Sequence, residues 1–332
     1  MSVEKIIEDW KSRRFKPVYW LEGEESFFID QLVDYAEHHI LSESEAGFNL
    51  SVFYGKDANW ADLINACRRY PMFSENQVVI LKEAQQMKDV DKLEGYIANP
   101  LSSTILVIAH KEKKLDGRSK LSKLLKQKAL VLSTKKWRED ELYRWAQERA
   151  KEKGFSMALD VATLLVQHIG NDMSRINNEI EKLLLNLQGR KAITADDVEK
   201  YVGISKEHNV FELQKAMSGK DLAKAIRIIQ YFESNPKAAP IQLIIPTLYA
   251  FFSKVYMIFG VKTQDNSALS AATGINSFFL SDYTTAAKKY EYSGVEKALL
   301  LLHQYNLRSI GVHDAGTNEA SLLKELVWKI MQ

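Results

Sequence analysis

Five short runs constrain the fold of this chain more than anything else in it: PVYWL at 17–21, LSVFY at 50–54, QVVIL at 77–81, TILVIA at 104–109 and ALVL at 129–132. Most are apolar almost throughout, which suits strands buried on both faces; LSVFY alternates instead. Helical patterns lie between them. Residues 27–40 carry Phe28, Leu32, Val33 and Ala36 on one face, 61–68 and 93–98 follow, and 115–126 is a basic amphipathic stretch with Leu121, Leu124 and Leu125 inward. Short buried strands alternating with helices imply a parallel sheet covered on both sides.

After Trp137 no further strand is expected. Helical segments follow at 140–153, 159–169, 173–187 and 195–203. Gly154 and Gly203 end two of them, Gly170 is expected to form a left-handed cap, Asp172 starts one, and Thr194 opens a capping box with Asp197. From Asn209 onward the pattern stays helical, with breaks at Asn235-Pro236, Pro240, Gly260 and a polar loop at 263–267. The last helix, 320–331, puts Leu322, Leu323, Leu326, Val327 and Ile330 on one side. The expected class is therefore α/β plus all-α.

Among 332 residues, 46% hydrophobic and 27% charged content excludes wholesale disorder. The lone cysteine, Cys67, excludes an internal disulfide and fits a reducing compartment. Its neighbours Arg68 and Arg69 could activate a thiol, but a buried structural cysteine is the preferred reading. The opening MSVEKIIEDWKSRR lacks the apolar core of a secretory signal, so a cytoplasmic location is expected. Residues 241–261, IQLIIPTLYAFFSKVYMIFGV, are long and apolar yet include Gln242, Pro246, Ser253 and Lys254. They are read as a buried helix, and no membrane contact is expected.

The stretch 70–83, YPMFSENQVVILKE, bears on chemistry. In a nucleotide-hydrolysing α/β domain such a strand usually ends in Asp-Glu, the Asp helping to hold Mg²⁺; here Lys82 stands in that place. A phosphate-binding Gly-x-x-x-x-Gly-Lys-Ser/Thr loop should follow the first strand. The chain instead reads LEG and then Glu24-Glu25-Ser26, two anions where phosphate would sit. Two independent losses describe an ATPase scaffold that no longer hydrolyses ATP. No catalytic residue, cofactor site or metal site is expected: His38 and His39 point to different faces, and the other histidines are scattered.

What remains is surface. Residues 111–138 hold eleven basic side chains against Glu112 and Asp116, in a chain whose net charge is only +2. Lys111, Lys113, Lys114, Arg118, Lys120 and Lys123 are candidates for DNA-phosphate contacts, with a plain solvated helix face as the alternative. Met72-Phe73 follows Tyr70-Pro71 and precedes polar 74–76. The pair either projects from a tip or folds under its own domain, and periodicity leaves both open.

Taken in order, PVYWLEGEESFFID, YPMFSENQVVIL, IGNDMSRINNEIEKLLL and YVGISKEHNVFELQKAM resemble the delta subunit of the bacterial DNA polymerase III clamp loader over essentially the whole chain. The resemblance implies a degenerate AAA+ α/β domain at 1–137, a helical lid at 138–206 and a helical collar at 207–332. It further implies binding and opening of the sliding clamp without ATP hydrolysis, within a nucleotidyltransferase holoenzyme. Met72 and Phe73 would be the clamp-gripping pair, flanked by Tyr70 and Pro71. The collar would join ATPase and delta-prime-type subunits, with primer–template DNA held inside the assembly. Met72 departs from the family's frequent Leu-Phe, and its flexible thioether suits the same pocket. GVHDAGTN at 311–318 fits the family pattern poorly. Two other readings stand beside this one: an active AAA+ ATPase with an atypical nucleotide site, and a stand-alone nucleic-acid-binding protein using 111–138.

Overall fold

The chain divides into two units, residues 1–138 and 139–332. The computed structural model describes residues 2–187, 189–203, 205, 208–235, 240–261, 265–277, 279–314 and 316–332. The expected break at Pro236, the loop start at Thr263 and the junction between Lys206 and Glu207 lie outside the described residues.

The first unit runs α1 (Val3–Lys11), β1 (Val18–Gly23), α2 (Ser26–His39), α3 (Glu43–Asn49), β2 (Leu50–Tyr54), α4 (Trp60–Cys67), β3 (Gln77–Lys82), α5 (Glu94–Ala98), β4 (Thr104–Lys111), α6 (Lys120–Lys128) and β5 (Leu130–Thr134). The strands form one parallel sheet in the order β2-β3-β4-β1-β5. Tyr19, Leu21, Val78, Ile80, Ile105 and Val107 face a layer that includes Trp10, Ile29 and Leu32. Val18, Trp20, Val79, Leu81, Leu106 and Ile108 face the opposite layer, with Leu63, Tyr96, Leu121 and Leu125. Successive side chains on a strand point to opposite faces, so a sheet covered twice requires apolar residues at nearly every position. The alternating run, β2, lies at one edge of the sheet and is only partly buried.

Several boundaries differ from expectation. Helices α1 and α3 have no counterpart in the sequence reading. The helix expected at 115–126 begins at Lys120, because Ser119 caps it by accepting from the Ser122 amide. Upstream, the Leu115 amide instead donates to the buried Glu22 carboxylate, which also takes bonds from Trp20 Nε1 and Ser133 Oγ. One carboxylate thus ties β1 to β5 and to the loop before α6.

The second unit contains α7 (Glu139–Glu152), β6 (Ser156–Met157), α8 (Leu159–Ile169), α9 (Met173–Asn186), β7 (Ala192–Ile193) and α10 (Ala195–Asp197), the last continuing as a wider π-type turn to Val202. Beta strands therefore do not stop at Trp137: Ser156 and Met157 pair in parallel with Ala192 and Ile193. Two residues are too few to leave a periodic signal. Asp172 caps α9, and Thr194 and Asp197 form the expected capping box. Gly203 takes the left-handed conformation, whereas Gly170, at φ 83° and ψ −160°, is not a left-handed helical cap.

Beyond Asn209 come α11 (Val210–Ser218), α12 (Leu222–Ser234), α13 (Ile241–Gly260), α14 (Asn266–Thr273), α15 (Leu280–Ser309, broken at Glu291) and α16 (Glu319–Met331). Helix α13 is long and apolar enough to cross a membrane by length and composition. Its Ile241, Ile244, Ile245, Leu248, Phe251, Phe252 and Val255 are nevertheless buried against a core holding Tyr290, Val295 and Leu302 of α15 and Leu326 and Val327 of α16.

Candidate partner-binding tip

The loop from Arg68 to Asn76 is gripped before it reaches solvent. Helix α4 ends at Cys67, and the buried Gln77 side chain, at the head of β3, reaches back over that end. Its Nε2 lies 2.6 Å from Arg69 O and 2.8 Å from Thr104 Oγ1, while Thr104 Oγ1 donates to Cys67 O at 2.8 Å. The loop's exit and return are thereby fixed to adjacent strands.

Tyr70 is 81% exposed, Met72 52% and Phe73 93%, with Pro71 half-buried. The pair that sequence left ambiguous projects into solvent. Phe73 sits at φ 55°, in the left-handed region that a residue with a Cβ adopts at a cost of about 1–2 kcal/mol. Beneath it lies α3. The buried Asn49 accepts from Met72 N at 2.7 Å and donates to Met72 O at 2.8 Å. One turn earlier, Glu45 accepts from Ser74 Oγ at 2.7 Å, from Ser42 N at 2.9 Å and from Ser42 Oγ at 2.7 Å. The backbone amide of Ser42, then the Ser74 and Ser42 hydroxyls, hold the Glu45 carboxyl down to a pKa of about 2. Phe48, beside Asn49, is 69% exposed. Sequence reasoning missed Asn49 and Glu45; Ser42-x-x-Glu45 is a legible capping box that would have located α3.

At the opposite end of β3, the residues that the sequence reading set against nucleotide binding make internal contacts. Lys82 Nζ lies 2.6 Å from Glu37 Oε2 and 5.6 Å from the Tyr54 ring centroid. Burial opposes its charge, but Glu37 and Tyr54 together outweigh burial and leave its pKa raised. Glu25 is buried and caps α2, accepting from the Phe27 amide at 3.2 Å. A helix N-terminus attracts anions, and here the chain's own carboxylate fills that position. Gly23, at φ 128°, has a different use: a Cβ there would meet Thr134 O at 2.1 Å, so it permits close approach of β5.

Of the six candidate phosphate contacts, Lys111 is already engaged, 2.6 Å from Asp30 Oδ1 and 3.0 Å from Glu83 Oε1. Lys113, Lys114, Arg118, Lys120 and Lys123 are exposed, the first three on the β4–α6 connection and the last two on α6. Cys67 is buried, and burial pushes its thiol up to about 12, so the flanking arginines do not activate it. His110 is a core histidine, stacked on Trp20 with Nδ1 3.0 Å from Lys113 O. Among the described residues no group of three or more His, Cys, Asp or Glu is placed to hold a metal ion.

Residues 19–135 match the family described as DNA polymerase III, delta subunit. The DNA polymerase III subunit delta of Bacillus subtilis is 29% identical over 67% of this chain and 68% of its own length. The probable DNA polymerase III subunit delta of Aquifex aeolicus is 23% identical over 79% and 77%. The solved Bacillus subtilis DNA clamp loader delta protein superposes with a TM-score of 0.59 at 23% identity, covering 99% of both chains; that likeness is one of fold.

Proposed function

We propose that this chain, whose residues 19–135 match the DNA polymerase III delta-subunit family, is a clamp-loader subunit that grips the sliding clamp through Met72 and Phe73 and helps it open, without hydrolysing ATP. The observation that carries this reading is the solvent-exposed apolar pair on a tip held by bonds to the Met72 backbone on one side and to the Ser74 hydroxyl on the other. Burying each side chain in a partner would contribute about 1.5–3 kcal/mol before ordering costs, and a pre-formed tip lowers those costs. Tyr70 and Pro71 form the rim of the contact. A wedge of this kind opens a ring by binding the open or strained interface better than the closed one, shifting that equilibrium by its difference in affinity.

The absence of hydrolysis rests on Glu25 at the phosphate position and on Lys82, paired with Glu37, at the metal position. These two residues also speak against the active-ATPase alternative. A lid at 138–206 and a collar at 207–332 that joins ATPase and delta-prime-type subunits complete the proposal, as do primer–template phosphates contacted by the exposed cations around α6. The same cations keep the stand-alone nucleic-acid reading in view.

The deciding experiment measures clamp binding by the full chain and by its Met72→Ser/Phe73→Ser variant. Micromolar or tighter binding that collapses in the variant is expected. An unchanged affinity would refute the site.

A further inference from the structure

Phe73 holds a backbone conformation that little in the ring's own surroundings rewards, since the side chain is 93% exposed. Residues kept in sparsely populated regions persist only where neighbouring bonds over-determine them. Here those bonds come from one short helix. Asn49 binds both the amide and the carbonyl of Met72, the residue before Phe73. Glu45 binds the hydroxyl of Ser74, the residue after it. A spacing of four places Glu45 and Asn49 on one face of α3. The helix is itself anchored: its N-terminus is closed by the Ser42–Glu45 capping box, and Asn49 runs directly into β2, paired along its length with β3. Asn49 also donates to Glu45 O at 3.0 Å, so its amide bonds are all made inside the protein.

We propose that α3 is a bracket that pre-sets the Phe73 tip, with Asn49 and Glu45 as positioning residues for clamp capture. The proposal rests on the clamp-binding reading above and deepens it. The bracket holds the Met72 backbone before Phe73 and the Ser74 side chain after it while leaving the ring free, so the tip meets its pocket already ordered. Without it the loop must find the left-handed conformation during association, and affinity falls although no contacting side chain has changed.

The test uses the full chain as wild type, Asn49→Ala, Phe73→Ser and the double variant, with Ser74→Ala as a milder cut through the same bracket. Amide hydrogen exchange across residues 70–76 of the free chain should quicken roughly tenfold in Asn49→Ala, the loss of two hydrogen bonds, while the sheet keeps its protection. Affinity for the sliding clamp of the same organism should fall by a similar factor of roughly ten, with little further loss when Asn49→Ala is added to Phe73→Ser. A purely structural defect would instead weaken both backgrounds alike. Unchanged exchange in a folded Asn49→Ala chain overturns the bracket, whatever the clamp does. Faster exchange with wild-type clamp affinity, where Phe73→Ser measurably weakens binding, overturns the positioning role. Faster exchange together with clamp binding indifferent to Phe73→Ser upholds the bracket and sinks the clamp reading instead. Should Asn49→Ala fail to fold, Ser74→Ala decides by the same two measurements, with a severalfold change supporting the bracket and no change overturning it.

Discussion

Lys82 Nζ and Glu37 Oε2 stand 2.6 Å apart, joining the end of β3 to the outer turn of α2. The pair sits where the sequence reading expects a carboxylate in a nucleotide-hydrolysing domain. The cation is satisfied within the protein, and Glu25 has taken the helix N-terminus that a phosphate would need. On the non-hydrolysing reading proposed above, internal bonds fill the place of a nucleotide site.

It follows that restoring one carboxylate will not restore the site. Isothermal titration of the wild-type chain with Mg-ATP should give no binding heat, and neither should Lys82→Asp, because Glu25 still caps α2. The variant should also melt lower than wild type, since it removes the cation and sets a second carboxylate beside Glu37. Saturable Mg-ATP binding by the wild type would contradict the non-hydrolysing reading.

The exposed cations around α6 should act through phosphates alone. Replacing Lys113, Lys114, Arg118, Lys120 and Lys123 together by Gln should weaken duplex DNA binding by the assembled loader and flatten its salt dependence, each lost phosphate contact removing about 0.9 from the log–log slope. Lys111→Gln should leave that slope unchanged and lower stability, because its charge faces Asp30 and Glu83. Equal effects from the two variants would argue against this division.

Cys67 should be inert in the folded chain. With the thiol buried and held near a pKa of about 12, a water-soluble disulfide reagent at pH 8 should label it only through opening of α4. Labelling should be at least roughly 100-fold slower than in denaturant. Fast native labelling would place the thiol at the surface and undo the packing described between α4 and β3.

Acid should loosen the second unit through Asp197. The Arg190 guanidinium, followed by the Thr194 hydroxyl and amide, lowers this carboxyl from 3.8 to about 2. A folded-state pKa below the unfolded one stabilises the chain above about pH 4, and that contribution disappears as pH falls through about 2. Asp197→Asn should therefore lower the melting temperature at pH 7, by roughly 2–4 °C for each kcal/mol lost. It should also flatten the decline in melting temperature between about pH 4 and 2. An identical acid profile for wild type and variant would remove the pair from the acid response.

Sequence alone was informative wherever the physics is local and repeated. A strand buried on both faces must be apolar at nearly every residue, so β1, β3, β4 and β5 could be placed to within a residue or two. The stripe of Leu322, Leu323, Leu326, Val327 and Ile330 likewise announced α16. Lys82 and Glu25 motivated the non-hydrolysing reading because a charge of the wrong sign is legible without coordinates. Where the cause is not periodic, reading failed. The two-residue strands β6 and β7 carry no pattern, and the loop at Leu115, expected to be helical, is drawn away by an amide bond to Glu22, 93 residues away in sequence.

The tip divides along the same line. The residue types at 70–73 were enough to mark an apolar pair after a helix-ending proline, but not to say whether the pair points outward, because exposure depends on what packs beside it. Only the tertiary structure brings Asn49 to the backbone of Met72 and Glu45 to Ser74, partners separated by 23 and 29 residues. Such contacts exist because β2 and β3 are neighbours in the sheet, carrying α3 and the loop before β3 to the same edge. Sequence determined the scaffold; long-range pairing decided that Phe73 stands in solvent in a conformation fixed from both sides.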